Sequence, residues 1–175
     1  MKRSTILFLA LAALATSAGP VTAGPVQTWD KVIDKATSRF KVLAKFDGAA
    51  VLDKETGLVW ELAPASNTFA WESSQKICLG TPIGGRRSWR LPTAWELMTL
   101  SDPSQDNPSL PAGHPFQNVS TVDLYWSSTA DPENPANAMA ERFGTGGGGI
   151  IASAKTGLSR RWCVRGTGGQ YGGQG

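Results

Sequence analysis

The chain has 175 residues, 41% of them hydrophobic, which is enough for one domain with a real core. Its 17 basic and 14 acidic residues leave a formal charge of +3, so no broad cationic surface of the nucleic-acid-binding kind is expected, and the placement of the charges matters more than their sum. Two cysteines and one histidine give little material for a metal centre, and no cofactor is expected.

Residues 1–23 read as a secretory signal peptide. Lys2 and Arg3 form a basic start, Ile6 to Ala15 an apolar run too short to span a bilayer, and Val21-Thr22-Ala23 a small-residue cleavage site. No cysteine follows the run, so a lipoprotein anchor is not expected. The protein is expected to be exported, to the periplasm or the cell surface, with no transmembrane segment. Removal of Lys2 and Arg3 lowers the formal charge of +3 to about +1.

Residues 24–48 form an N-terminal arm. Trp29, Val32, Ile33 and Ala36 have helical spacing, and Phe40 to Leu43 reads as a short strand. Ala49–Asp53 and Gly57–Glu61 are two strands joined by a turn, in which Asp53 opens an Asx turn and Gly57 takes a positive φ. Asn67 or Thr68 then caps a helix from Ala70 to Leu79 that carries Trp71, Ser74 and Cys78 on one stripe, and Gly80 ends it. Residues 81–87 are a loop.

The stretch from Ser88 to Leu97 organises the middle of the chain. Pro92 forces Leu91 into an extended conformation. Thr93 and Glu96 have capping-box spacing, so a helix starts at Ala94 and runs to Leu100. Leu97, Met98 and Leu100 supply its buried face. Residues 102–118, with four prolines, form a long loop of the kind that is often functional. Asn118-Val119-Ser120 fits a glycosylation sequon by pattern. Strands follow at Tyr125–Thr129, Ala138–Phe143, Ile150–Ala154 and Arg161–Arg165. Gly144–Gly149 is a flexible hairpin tip, and residues 167–175 are a disordered glycine/glutamine-rich tail. The order of elements predicts an α+β fold with a mixed or antiparallel sheet.

Chemistry is sparse. In an exported chain, Cys78 and Cys163 are expected to form one disulfide; the alternative is a reactive thiol pair, but neither residue sits in a CxxC motif. His114 reads as loop surface, and no nucleophile elbow accompanies it. Glu61, Glu72, Glu96 and Glu141 read as surface or capping residues. The glycine run lacks the lysine and the helix of a phosphate loop. Pro132-Glu133-Asn134 reads as a turn, not a calcium ligand set.

Basic clusters are the better lead. Arg86, Arg87 and Arg90 precede the central stretch, and Arg160, Arg161 and Arg165 lie at the last strand. Guanidinium groups pair bidentately with sulfate or carboxylate, so Arg86, Arg87, Arg160 and Arg161 on one face would suit an anionic glycan. Arg90, beside Trp89, is expected to make a structural hydrogen bond or ion pair. Trp60, Trp71, Trp89, Trp95 and Trp162 are expected in the core. Trp126 is either core or a ring that stacks on a sugar.

Thr56–Glu61, Trp71-Glu72 with Cys78, Trp89-Arg90-Leu91-Pro92-Thr93-Ala94-Trp95-Glu96-Leu97, Tyr125–Thr129 and Trp162-Cys163-Val164-Arg165-Gly166 together resemble the Lcl C-terminal domain family. The resemblance covers residues 49–166. It implies a C-type-lectin-like fold with two helices, a twisted, mainly antiparallel sheet and a loop-rich face. It also implies a bridge from Cys78 on the first helix to Cys163 on the last strand. Some members bind glycosaminoglycans or host surfaces, at times as trimers on a collagen-like stalk; this chain has no Gly-X-Y repeat. The resulting expectation is a secreted, non-catalytic binding module for anionic polysaccharides or a cell-surface protein. Its variable loops would be 80–87, 103–118, 130–137 and 144–149. The alternatives are a structural component of an envelope assembly and an enzyme of the formylglycine-generating kind, which shares the broad fold.

Overall fold

The computed structural model describes residues 33–167. The signal peptide, the Trp29–Val32 part of the arm and the tail from Gly168 onward lie outside the described residues. The elements are α1 (Ala36–Arg39), β1 (Phe40–Val42), a 3-10 turn at Ala44–Phe46, β2 (Ala50–Asp53), β3 (Val59–Glu61), β4 (Thr68–Phe69), α2 (Trp71–Gly80), α3 (Ala94–Met98), β5 (Tyr125–Ala130), β6 (Asn137–Arg142), β7 (Gly149–Ala154), β8 (Ser159–Arg160) and β9 (Val164–Arg165). The strands form two sheets, ordered β1-β2-β3-β9 and β4-β8-β5-β6-β7. All neighbours pair antiparallel except β5 and β8, which are parallel. The protein is therefore α+β, with few helices and mixed sheets.

The β2–β3 turn forms as its residues dictate. The Asp53 carboxylate accepts from the Glu55 N–H and the Thr56 hydroxyl, and Gly57 sits at φ 76°. Arg39 grips the same carboxylate through two bonds of 2.9 and 2.8 Å and also donates to the Thr99 carbonyl at 2.6 Å. One buried guanidinium thus ties α1, the hairpin and the end of α3 together. Ala36, Phe40, Leu43 and Phe46 are buried with the rest of the core.

A single strand over Arg161–Arg165 does not form. The segment splits into β8 in one sheet and β9 in the other, and Arg161, Trp162 and Cys163 turn inward between them. Trp162 thereby reaches the middle of the core. Its ring lies 5.0 Å from Phe116, 5.6 Å from Tyr125 and from Phe143, and 5.8 Å from Trp60, and its Nε1–H donates to the Glu61 carbonyl. Cys163 is bonded to Cys78 on α2, with Cα atoms 5.6 Å apart and 85 residues between them.

α2 has no side-chain N-cap; its cap position is Ala70. Thr68 cannot serve because Thr68 and Phe69 are committed to β4, paired with Arg160 and Ser159. The first helical N–H, that of Trp71, goes instead to the Lys155 carbonyl. α3 has the complete capping box, with Glu96 N–H to Thr93 Oγ1 at 3.1 Å and Thr93 N–H to Glu96 Oε2 at 2.8 Å. Leu97 and Leu100 are buried as expected, but Met98 is 43% and Trp95 67% exposed. The buried stripe runs through Ala94 and Leu97, so Trp95 and Met98, three residues apart, share the opposite face.

The two long loops are packed. Leu110 and Phe116 place the proline-rich loop in the core. The glycine run is not a free tip. A Cβ on Gly144 would lie 2.6 Å from the Thr121 carbonyl oxygen, one on Gly147 2.9 Å from Pro103 Cα, and one on Gly148 2.8 Å from Ser109 Oγ. Glycine is needed here because the run passes so close to its neighbours, with φ near +80° at residues 146–148.

Candidate functional site

The fold removes two of the predicted arginines from the surface chemistry. Arg161 is buried; its Nη1 donates to Glu61 Oε2 at 3.3 Å and to Cys163 Sγ at 3.0 Å. Burial raises the pKa of Glu61, and Arg161 and the Cys163 N–H partly offset that rise. Arg160 is neutralised. Its Nε donates to Asp123 Oδ2 at 2.7 Å and its Nη1 to the Asn118 carbonyl at 3.1 Å. The Ser120 hydroxyl, followed by Arg160, holds the Asp123 carboxyl below its usual range. Arg160 lines a shallow cleft of about 470 Å³ with Ser66, Asn118, Ser120 and Val122.

Trp126 is also excluded from ligand contact. It is fully buried and its Nε1–H donates to the Phe69 carbonyl at 2.8 Å, so no ring face remains for a sugar. Glu61 and Glu141 are buried rather than on the surface, while Glu72 and Lys76 form an exposed ion pair. His114 stacks on Phe116 at 5.8 Å, and burial lowers its pKa. Among the described residues no three His, Cys, Asp or Glu side chains come together as a metal cluster.

Apart from the exposed Trp95, the central motif is structural. Arg90 clamps Glu96 with two bonds of 2.7 Å and also donates to the Gly166 and Leu91 carbonyls. Arg90 and Val164 exchange backbone bonds of 2.9 Å, and Trp89 and Leu91 are buried. The Pro92 carbonyl accepts from the Ser128 N–H at 2.7 Å. The motif therefore joins α3, β5 and β9.

Arg86 and Arg87 remain exposed on the loop after α2. That loop is rigidly seated. Ile83 and Arg86 exchange backbone bonds, and the Trp89 Nε1–H donates to the Arg86 carbonyl at 2.8 Å. Gly84, at φ 54°, is pressed against Phe46, and a side chain there would overlap the Phe46 carbonyl oxygen. The Phe46 ring meets Trp89 edge-on at 6.0 Å. The Arg165 guanidinium lies 5.8 Å and the Lys45 ammonium 5.9 Å from the Phe46 ring centre. Lys45 and Arg165 thus flank one buried phenylalanine, Arg86 and Arg87 are exposed on the loop whose Gly84 presses against it, and none of the four forms an ion pair among the described residues. Asp47 beside them is exposed and forms no ion pair either.

Sequence reading finds Arg86 and Arg87 but misses the contribution of Lys45 and Phe46. The one available signal is the Gly84-Gly85 pair, which marks a close backbone approach without naming what approaches.

The Lcl C-terminal domain family matches residues 49–165, most of the described chain. The chain belongs to that family. No curated protein matches the sequence. Arg86, Arg87 and Arg165 fall inside the Lcl C-terminal domain, whereas Lys45 and Phe46 lie just ahead of it. The basic face therefore combines the Lcl C-terminal domain with the segment that precedes it here. The disulfide leaves no free cysteine in the chain. No helix among the described residues is long and apolar enough to cross a membrane.

Proposed function

We propose that the protein is an exported, non-catalytic binding module on a C-type-lectin-like scaffold, which takes sulfated or carboxylated polysaccharide on the face around Phe46. The observation that carries this reading is a set of cations with no ion pair among the described residues: Lys45 and Arg165 over the Phe46 ring, and Arg86 and Arg87 exposed on the loop that Gly84 seats against Phe46. Arg39, Arg90, Arg160 and Arg161 are matched by carboxylates, which leaves Arg86, Arg87, Arg165 and the exposed Arg142 as the described arginines open to a ligand. Guanidinium forks suit sulfate and carboxylate oxygens, and a rigidly seated loop limits the ordering cost of binding. The apolar leader and the disulfide support export.

Heparin-column retention across a salt series tests it. The oxidised protein is expected to elute at a salt concentration that falls clearly for R86A/R87A/R165A, with affinity on the order of tenfold weaker at low salt. R160A, whose charge is already matched by Asp123, is expected to elute close to the unsubstituted protein. No retention at any salt would overturn the glycan reading and shift the weight to a structural role in an envelope assembly.

A further inference from the structure

The second sheet ends in a strand that carries none of the usual devices against further pairing. β7 reads Gly-Ile-Ile-Ala-Ser-Ala, without charge, proline or bulge, and it pairs with β6 in unbroken register over six residues. The other edges differ. β4, at the far end of the same sheet, is only two residues long, and β1 is three residues long and carries Lys41. Short strands and edge lysines are how sheets avoid adding a neighbour. The lysine just after β7 does not guard it: Lys155 is drawn back to the Pro135 carbonyl and over the Trp71 ring.

Register fixes which backbone groups are open. The Lys155 N–H donates inward to the Ala136 carbonyl, in step with the β6–β7 ladder. By antiparallel alternation, residues 149, 151 and 153 bond to β6, while Ile150, Ala152 and Ala154 face away. The Ala154 carbonyl closes a turn to the Gly157 N–H; the remaining outward groups of these three residues have no partner among the described residues. Beside this edge, α3, which packs on β7, exposes Trp95 and Met98.

We infer that β7 is the seam of a homodimer, in which β7 of a second copy adds antiparallel to it and the two five-stranded sheets become one. Open strand groups specify a β-strand as the occupant. The absence of charge specifies the chain itself. An uncharged strand meets its own copy without repulsion, whereas the basic face around Phe46 does not. A two-fold axis at Ala152 sets Ala152 opposite Ala152 of the second copy and Ile150 opposite Ala154, so each open N–H faces a carbonyl of the same set, that of Ala154 accepting from the Gly157 N–H as well. The pairing is independent of the ligand reading; if both hold, the dimer presents two basic faces and gains avidity for a polymer.

Sedimentation of the oxidised protein over a concentration series, with amide exchange on the same samples, tests the seam. The expected result is a monomer–dimer equilibrium in which the Ile150, Ala152 and Ala154 amides gain protection as dimer forms. A152K and A152E each place like charges across the two-fold axis and are expected to weaken self-association several-fold without unfolding the monomer; mixing the two is expected to restore it. Three results would overturn the proposal: a monomer at every concentration, protection of these amides in the monomer (the edge is then covered by the chain's own residues), or a dimer indifferent to A152K.

Discussion

Glu141 shows how a single side chain is strained by its own fold. It projects from β6 into the core, is fully buried and forms no ion pair among the described residues. Oε1 accepts from the Gly149 N–H at 2.8 Å and from the Ser101 hydroxyl at 3.2 Å, while Oε2 and the nearby buried Ser109 Oγ have no hydrogen-bond partner among the described residues. Burial raises its pKa, and the two donors only partly offset that. A carboxyl with a raised folded pKa contributes stability that is fully present below its unfolded pKa and is lost as pH rises through the folded one. At neutral pH the folded state therefore bears the cost of burying a titrating carboxyl. Glu141→Gln keeps an acceptor for Gly149 and removes the titrating group. It is expected to stabilise the protein by on the order of 1 kcal/mol at pH 7, with the gain shrinking toward zero as the pH falls into the carboxylate range. Urea midpoints at neutral and acid pH check this; a gain of equal size at both would remove the charge from the explanation.

At the scale of elements, features that depend on neighbouring residues are legible in the sequence, and features that depend on distant ones are not. The Asp53–Gly57 turn and the Thr93–Glu96 capping box are local chemistry, and both form as the sequence predicts. The α2 cap at Asn67 or Thr68 fails because β4 claims Thr68 through a partner about ninety residues away. The motif around Trp95 points it to the core, yet the stripe through Ala94 and Leu97 turns it outward. The glycine run reads as free because the sequence cannot show that Pro103, Ser109 and Thr121 press against it. The same division separates Arg86 and Arg87, visible at once, from Phe46, which meets Gly84 of their loop on one side and Arg165 at its ring. The capping box offers a graded test, because Glu96 also anchors Arg90. Thr93→Ala is expected to cost about 1 kcal/mol, the ordinary loss of a cap. Glu96→Ala is expected to cost more, about 2–3 kcal/mol, since it removes the return half of the cap and strands the half-buried Arg90 guanidinium. Equal losses in urea titration would mean that the Arg90–Glu96 fork adds nothing.

Across the whole molecule, one covalent bond joins the two halves of the basic face. Cys78 lies near the end of α2, directly ahead of the loop that carries Arg86 and Arg87, and Cys163 lies two residues before Arg165. The bond therefore constrains the unfolded chain and also registers one set of cations against the other. The first effect is thermodynamic: an 85-residue span makes the loss in C78S/C163S about 4–5 kcal/mol on the chain-entropy account. The second is local. Without the bond, α2 is still held at its start by Trp71, whose Nε1–H donates to the Ser127 carbonyl and whose N–H donates to the Lys155 carbonyl, and the loop beyond α2 by the Trp89–Phe46 contact. The end of α2 that leads into the loop loses its covalent anchor, so the loop should loosen before the sheets do. At a temperature where C78S/C163S remains folded by circular dichroism, it is expected to elute from heparin at lower salt than the oxidised protein, although all four cations are intact. Elution at the same salt, with the stability loss still present, would assign the disulfide to stability alone and leave Gly84 and Phe46 as what positions the arginines.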